Sequence, residues 1–432
     1  MVSQLSRYIL GPQRDKPMAS KIRSFALLLA LQMGPFVTLR AQHPDSFFAQ
    51  TEFAQWASQG PVEQIPWQLR VEAGGLTAYQ RMVSRCVIDI GGRYFKQRSE
   101  SGDIISMIQV TDSAGNTYQD HDIEFVDRKN PEARHGVYFA WHAFVLPGAY
   151  EVTLALYDKA TGKRSFGTRK LSVEPLSKDP LPEAWRDLPP VELLHGSSKP
   201  PDSFFHPEIK GRLHLPISPH RPVRVELLAN LTGTGRAMVS HSAYNFNVGT
   251  LLPIVRSFSQ MEVRGGALNM ELLDLVRRDV PFQQDDVRAD DAGGLDWPRL
   301  KTAVADADPT KVDVHALQDV KHTAAFLRQE VARRIASGAG PPDALPVLVL
   351  LSSSAFFQEL DDIHDTILPS ECSCVVYYIR YNPFALRFHG AYSDFDNVKK
   401  VLKPLSIHAH VAQTTQDLRR ILAEIMDDIS KL

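Results

Sequence analysis

Val347-Leu348-Val349-Leu350-Leu351 is a run of five aliphatic residues with no polar alternate. A strand with one wet face alternates apolar and polar side chains, so an unbroken run is expected of a parallel strand covered on both faces. Further apolar runs stand at Val223 to Ala229, Leu268 to Val276 and Val375 to Ile379, with a shorter one around His408 to Val411. Helical patterns fill the gaps between them. Val314, Leu317, Val320, Ala324, Leu327, Val331 and Ile335 recur at intervals of three and four, which lines one side of a long helix. Leu418, Ile421, Leu422, Ile425 and Ile429 repeat that spacing at the chain end, led by Thr414 and Asp417 as a capping pair. Strands alternating with helices predict a doubly wound α/β, Rossmann-like domain over 223–432. Sheets of that kind bind ligands in the crevice beyond the strand C-termini.

Upstream the rhythm is different. From Ile65 to Val173 apolar residues alternate with polar ones between Asp/Gly/Asn turns, about seven short strands in roughly 110 residues, which predicts an all-β sandwich of immunoglobulin or fibronectin type. Val137, Phe139, Trp141, Ala143 and Val145 fall on one side of a strand. Tyr150, Val152, Leu154 and Leu156 fall on one side of the next, with Leu146-Pro147-Gly148 joining the two as a hairpin. Asp158 to Gly162 and Asp112 to Asn116 supply two more turns. The cysteine staple of antibody domains is missing, since only Cys86 lies here. Between Glu174 and Pro222 eleven prolines disfavour helix and central strand alike, so 174–222 reads as an extended connector lying over one or both domains, with Phe204-Phe205 as a docking point.

Lys21 and Arg23, the apolar run from Phe25 onward and Leu39-Arg40-Ala41 form a signal-peptide pattern over 1–41. Met18 is an alternative start that gives the signal ordinary length. The apolar run, at about 13 residues, falls short of the ~20 that span a bilayer, and no later segment is apolar enough to span one. Residues 42–64 are a lead segment. Export to the periplasm or medium is the expectation.

The charge is balanced, 48 basic residues against 50 acidic ones for a formal −2, which leaves no field to hold a nucleic acid. Cys86, Cys372 and Cys374 build neither a disulfide framework nor a zinc ribbon; Cys372 and Cys374 are expected as buried thiols. No G-x-S-x-G elbow, H-E-x-x-H helix or Walker loop occurs. Asp285, Asp286, Asp290 and Asp291 read as a solvated acidic loop, and His408 with His410 as a weak pair on one strand face.

The first strand of the C-terminal half runs into Asn230-Leu231-Thr232-Gly233-Thr234, and here the sequence resembles von Willebrand factor A-type (vWA) domains. In that family D-x-S-x-S, a loop Thr and an Asp ending the fourth strand hold Mg²⁺, which a partner's carboxylate completes. The resemblance places Asn230, Thr232 and Thr234 on the first motif, Thr310 on the loop position, and Ser353 on the Asp position. It implies a degenerate metal-ion-dependent adhesion site. Lacking carboxylates, these residues are expected to hold no metal unaided, with Mg²⁺ entering only alongside a partner carboxylate. The sandwich, export signal and long connector are similar to the secreted VWFA-related proteins of acidobacteria.

The expectation is therefore an exported, non-enzymatic protein–protein interaction or adhesion protein with an unknown protein partner, using a metal-independent crevice. Its contact residues would be Asn230, Thr232, Thr234, Thr310 and Ser353, with a loop of Tyr244, Asn245, Phe246 and Asn247 beside them; an aromatic and amide mixture is enriched in contact surfaces. Packing at the start of the first helix is the other reading of that loop. Two alternatives stand beside this function: a metal-dependent vWA adhesion module, and an envelope hydrolase using Asp361, Asp362, His364 and Asp365.

Overall fold

The computed structural model of the chain describes residues 47–48, 51–127, 129–130, 135–194, 209–232, 241–288, 294–307, 322–353, 355, 357, 360, 372–382 and 396–432. The signal segment 1–41, Phe204-Phe205, Asp290-Asp291 and the Asp361 to Asp365 cluster lie outside them.

The N-terminal half contains β1 (Val62–Glu63), β2 (Gln68–Leu76), β3 (Met82–Gly91), β4 (Gly102–Asp112), β5 (Thr117–Val126), β6 (Gly136–Val145), β7 (Gly148–Asp158), β8 (Arg164–Val173) and β9 (Val191–Leu194). They form two antiparallel sheets, ordered β1-β8-β7-β4-β5 and β2-β3-β6-β9. Their inward residues, among them Ile88, Ile108, Trp141, Val152 and Leu154, make one core, and Trp141 Nε1 donates to Ser106 Oγ of the opposite sheet at 3.2 Å. Two of the expected turns close hairpins. Asp112 Oδ1 accepts from Ala114 N and Asn116 N at 2.9 Å between β4 and β5, with Gly115 at φ 85°. Gly162, at φ 68°, closes β7 on β8.

The expected β6–β7 hairpin does not form. β6 pairs with β3 and β9, whereas β7 pairs with β4 and β8, so Leu146-Pro147-Gly148 crosses from one sheet to the other. Tyr150 OH holds that corner, donating to Leu146 O at 2.7 Å. Both strands bury one face in the same core from opposite sides, which a hairpin would not allow. The lead segment also has a structural role: α1 (Phe53–Gln59) buries Phe53 and Trp56 against Ile105, Met107 and Phe166 on the outer face of the five-stranded sheet, and a second short helix, α2 (Gly92–Lys96), follows β3.

The connector is more structured than its prolines imply. β9 lies within it and completes the second sheet, and Glu192 of that strand forms a buried ion pair with Arg81 while accepting from Gly211 N at 3.1 Å. A single apolar core runs from the sandwich through the connector into the C-terminal half.

That half contains β10 (Leu215–Ile217), β11 (Val223–Asn230), α3 (His241–Phe258), β12 (Met261–Val263), β13 (Ala267–Asp274), β14 (Asp279–Gln284), α4 (Trp297–Asp306), α5 (Thr323–Ser337), β15 (Leu345–Ser352), β16 (Val375–Tyr381), α6 (Val398–Val401), β17 (Ile407–Ala412) and α7 (Thr415–Ser430). Six strands form a mixed sheet ordered β14-β13-β11-β15-β16-β17, in which β14 runs antiparallel to β13. Residues of α3, α4 and α7 pack on one face and those of α5 and α6 on the other. The expected capping pair forms, with Asp417 N donating to Thr414 Oγ1 at 3.0 Å.

The expectation of a doubly wound, Rossmann-like vWA domain is corrected. Strand accounts for 41% of the described residues and helix for 25%, and the chain is built on several antiparallel sheets. Antiparallel pairing also enters the C-terminal sheet through β14, and a separate two-stranded sheet pairs β10 with β12. The physical reason lies in segments without an apolar run. Asp279-Val280-Pro281-Phe282-Gln283-Gln284 is half polar and contains a proline, which an edge strand tolerates because half its backbone groups need no ladder partner.

Candidate functional site

β11, β13, β15 and β16 end side by side, and polar side chains gather at that edge. Asn230, the last residue of β11, is 1% exposed. Its Nδ2 donates to Thr232 O at 2.6 Å and to Ser352 Oγ at 3.0 Å, while its Oδ1 accepts from Thr232 N at 3.2 Å. Asn230 thus folds the chain back on itself as it leaves the sheet and ties the turn to β15. Thr232 Oγ1 accepts from Leu275 N at 2.8 Å and donates to Asp274 Oδ1 at 3.3 Å, which links the turn to the end of β13.

Asp274 is the residue that sequence reasoning missed. It is 1% exposed, and its Oδ1 also accepts from Val276 N and Arg277 N, each at 3.0 Å. Burial pushes its carboxyl above the ordinary aspartate range, against the opposing pull of those backbone donors and of Arg277. Arg277 Nε stands 3.8 Å from Oδ2. The edge therefore holds a carboxylate, contrary to the expectation of a site without one, with a guanidinium near it that only partly offsets its burial. The available signal was the second of two acids, after Glu271, interrupting the Leu268 to Val276 run.

Beside this clamp three buried oxygens have no hydrogen-bond partner among the described residues: Asp274 Oδ2, Ser353 Oγ and Asn382 Oδ1. Each belongs to a different strand end, of β13, β15 and β16. Asn382 is held by its backbone, with N donating to Ala412 O at 2.9 Å. A buried polar atom without a partner costs roughly 1–3 kcal/mol, so each of the three would be stabilised by a donor that reached it.

The other expected contact residues part company with this edge. Thr234 and Thr310 lie outside the described residues. Tyr244, Asn245, Phe246 and Asn247 are not a loop but the first turns of α3. Tyr244 is buried and its OH donates to Val304 O at 2.7 Å, and Asn247 is buried with Nδ2 donating to Leu231 O. These two side chains fasten the helix to α4 and to the β11 turn, so they belong to packing rather than to a contact surface.

The residues present do not fit a Mg²⁺ site. The Asn230 amide and the Thr232 hydroxyl are already committed to backbone and to each other, and a guanidinium stands beside the carboxylate where a dication would need uncompensated charge. No group of three or more ligating side chains occurs among the described residues.

At the opposite end of the same sheet lies a buried ionic network. Glu226 of β11 and Glu271 of β13 are 0% exposed, and Arg334 of α5, 1% exposed, reaches Glu226 at 3.5 Å and Glu271 at 2.7 Å. Arg224 Nε donates to Glu226 at 2.7 Å, Asn269 Nδ2 to the same oxygen at 2.8 Å, and Arg333 pairs with Glu271. Burial pushes both glutamates above their ordinary range. The network fixes α5 to the sheet through Arg333 and Arg334, although Glu226 Oε2, Glu271 Oε2 and Arg334 Nη2 have no hydrogen-bond partner among the described residues.

Three lesser expectations are also settled. Cys372 and Cys374 are bridged by a disulfide and half-buried, not a pair of buried thiols. His408 and His410 both lie beside the Tyr377 ring, at 5.3 and 6.2 Å. In the acidic loop Asp285 pairs with Arg334 at 3.0 Å and Asp286 with Arg288 at 2.6 Å, so this part of it is neutralised. No helix among the described residues is long and apolar enough to cross a membrane.

No family model matches the chain, and no curated protein matches it. Among solved structures, a family 76 glycoside hydrolase from a bovine Bacteroides thetaiotaomicron strain is similar at 17% identity and a TM-score of 0.16, over 27% of this chain and 20% of that one. The PilB minor pilin from Streptococcus sanguinis is similar at 8% identity and a TM-score of 0.25, over 77% of this chain and 88% of its own. A variant of that pilin covers 84% and 88% at 7% identity and the same TM-score of 0.25. Likenesses this low carry no argument about fold or activity, and none points to a vWA domain.

Proposed function

We propose that the protein is an exported, non-enzymatic binding protein whose polar strand-end edge takes a hydrogen-bond-donating group of a partner protein, without a metal ion. The single observation that supports this reading is the set of unpartnered buried oxygens on Asp274, Ser353 and Asn382. Acceptors left unpaired at separate strand ends favour donors, and neutral N–H or O–H groups of a partner surface, one for each strand end, would supply them beside the Arg277 charge. The Arg277 guanidinium near Asp274 opposes a second cation there, and no group of three or more ligating side chains occurs among the described residues, which supports metal independence. The near-neutral balance of 48 basic and 50 acidic residues gives a nucleic acid no general attraction.

The test is affinity capture from the envelope of the producing cell, run with and without EDTA and repeated with a Ser353→Ala/Asn382→Ala chain. The expected result is a partner that is retained in EDTA and lost with the double substitution. Capture that disappears in EDTA, or that is indifferent to both substitutions, would reject the proposal.

A further inference from the structure

We propose that the Cys372–Cys374 disulfide is a thiol–disulfide exchange site that accepts two electrons from a partner dithiol. The bridge joins cysteines two residues apart. A loop that short removes little freedom from the unfolded chain, so stabilisation of the fold does not account for it. Nor does the strand it precedes need it: β16 is hydrogen-bonded to β15 along one side and to β17 along the other. Both cysteines are half-buried and Ser373 between them is exposed, which puts the bridge at the surface. Exposed disulfides are the ones most open to attack.

The third cysteine offers no internal route for the electrons. Cys86 is buried in the sandwich core, and burial pushes its thiol up to about 12, leaving almost no thiolate to attack a disulfide. The exchange partner must therefore come from outside. A thiolate of the incoming dithiol attacks one bridge sulfur, the S–S bond breaks, and the other sulfur leaves as a thiolate that takes up a proton. The second thiol of the substrate, losing its proton, then attacks the substrate's own sulfur in the mixed disulfide; that S–S bond breaks and the protein sulfur leaves as a thiolate that takes up a proton. The products are an oxidised substrate disulfide and the reduced Cys372/Cys374 pair, with two electrons and two protons transferred. This role is independent of the strand-end edge, which lies at the opposite end of β16.

The full-length chain is mixed anaerobically with a reduced peptide carrying two cysteines, and peptide disulfide is followed by mass spectrometry after thiol alkylation. The expected result is peptide oxidation at least about tenfold faster than with a Cys372→Ser/Cys374→Ser chain, stoichiometric with the protein. Alkyl labels should appear at Cys372 and Cys374 while the circular dichroism spectrum is unchanged. Oxidation no faster than with the substituted chain would overturn the proposal. So would labelling that appears only as the spectrum of the fold is lost, because the bridge would then be a structural one.

Discussion

Asn230→Asp is nearly isosteric and replaces one donor group with an oxygen. In the folded chain Nδ2 of Asn230 donates to Thr232 O at 2.6 Å and to Ser352 Oγ at 3.0 Å, both buried. Ser352 can rotate its hydroxyl to donate to the new carboxylate, but Thr232 O has no proton to offer and would face an anionic oxygen. One lost bond with an unpaired buried carbonyl, added to the burial of a carboxylate, sums to roughly 2–4 kcal/mol at neutral pH. Protonation of the introduced carboxyl restores a donor. Its folded pKa is therefore raised, and the stability it contributes at low pH is lost as the pH rises through that value. Urea unfolding followed by tryptophan fluorescence at about pH 4.5 and about pH 7.5 should show a small loss in the first buffer and the full loss in the second. A loss below about 0.5 kcal/mol at both values would refute the reading of Asn230 as a structural clamp. Restoration of the lost stability by millimolar Mg²⁺ would equally refute it, since only a metal ligand at this position gains from the added charge.

Other expectations follow from burial. Gly338→Ala would place a methyl group on Glu226 Oε1 and Arg224 Nε, parting a buried pair, and should cost about 3–5 kcal/mol in thermal or urea unfolding. A cost below about 1 kcal/mol would mean that the network yields more readily than its packing implies. Asp274 has a folded pKa above its unfolded one, so its stabilising contribution is complete below the ordinary aspartate value and fades as the pH rises through the folded value. Asp274→Asn keeps the accepting Oδ1 and should flatten that decline as the pH rises from the ordinary aspartate range; wild-type stability that rises relative to the variant along that titration would contradict the sign. Trp56→Ala in α1, which is 5% exposed against the outer face of the sandwich, should cost roughly 3–5 kcal/mol and show that the lead segment belongs to the folded unit.

The apolar runs gave away β11, β13, β15 and β16, because strands covered on both faces need no polar alternate, and a shorter run marked β17, a partly exposed edge strand. Periodicity and the Thr414/Asp417 pair did the same for α7. What stayed hidden has specific causes. β9 is four residues within a proline-dense stretch, and only Val145, Phe144 and their neighbours across the ladder make it a strand. The β6–β7 connection has turn chemistry, yet turn residues alone do not say whether the chain returns beside itself or changes sheet. Asn245 and Asn247 are weak helix formers, and their segment is helical because tertiary contacts such as Tyr244 with Val304 reward it. At the strand-end edge, Asn230, Thr232 and Ser353 were legible as short polar residues after apolar runs. Asp274 and Asn382 were not, because a single acid or amide at the end of a run carries no motif. Arg224, Glu226, Asn269 and Glu271 alternate within two of the runs, and that period-two signature of a buried polar face was outweighed by the apolar residues between them.

Calorimetric titration of the full-length chain with Mg²⁺ and with Mn²⁺ probes the metal-free edge most directly. The absence of binding heat at millimolar metal is the result expected if the Arg277 guanidinium opposes a second cation beside Asp274 and the amide and hydroxyl groups are committed to the clamp. Tight uptake that Asp274→Asn abolishes would contradict it, and with it the reading of the edge as a seat for a partner's donor group.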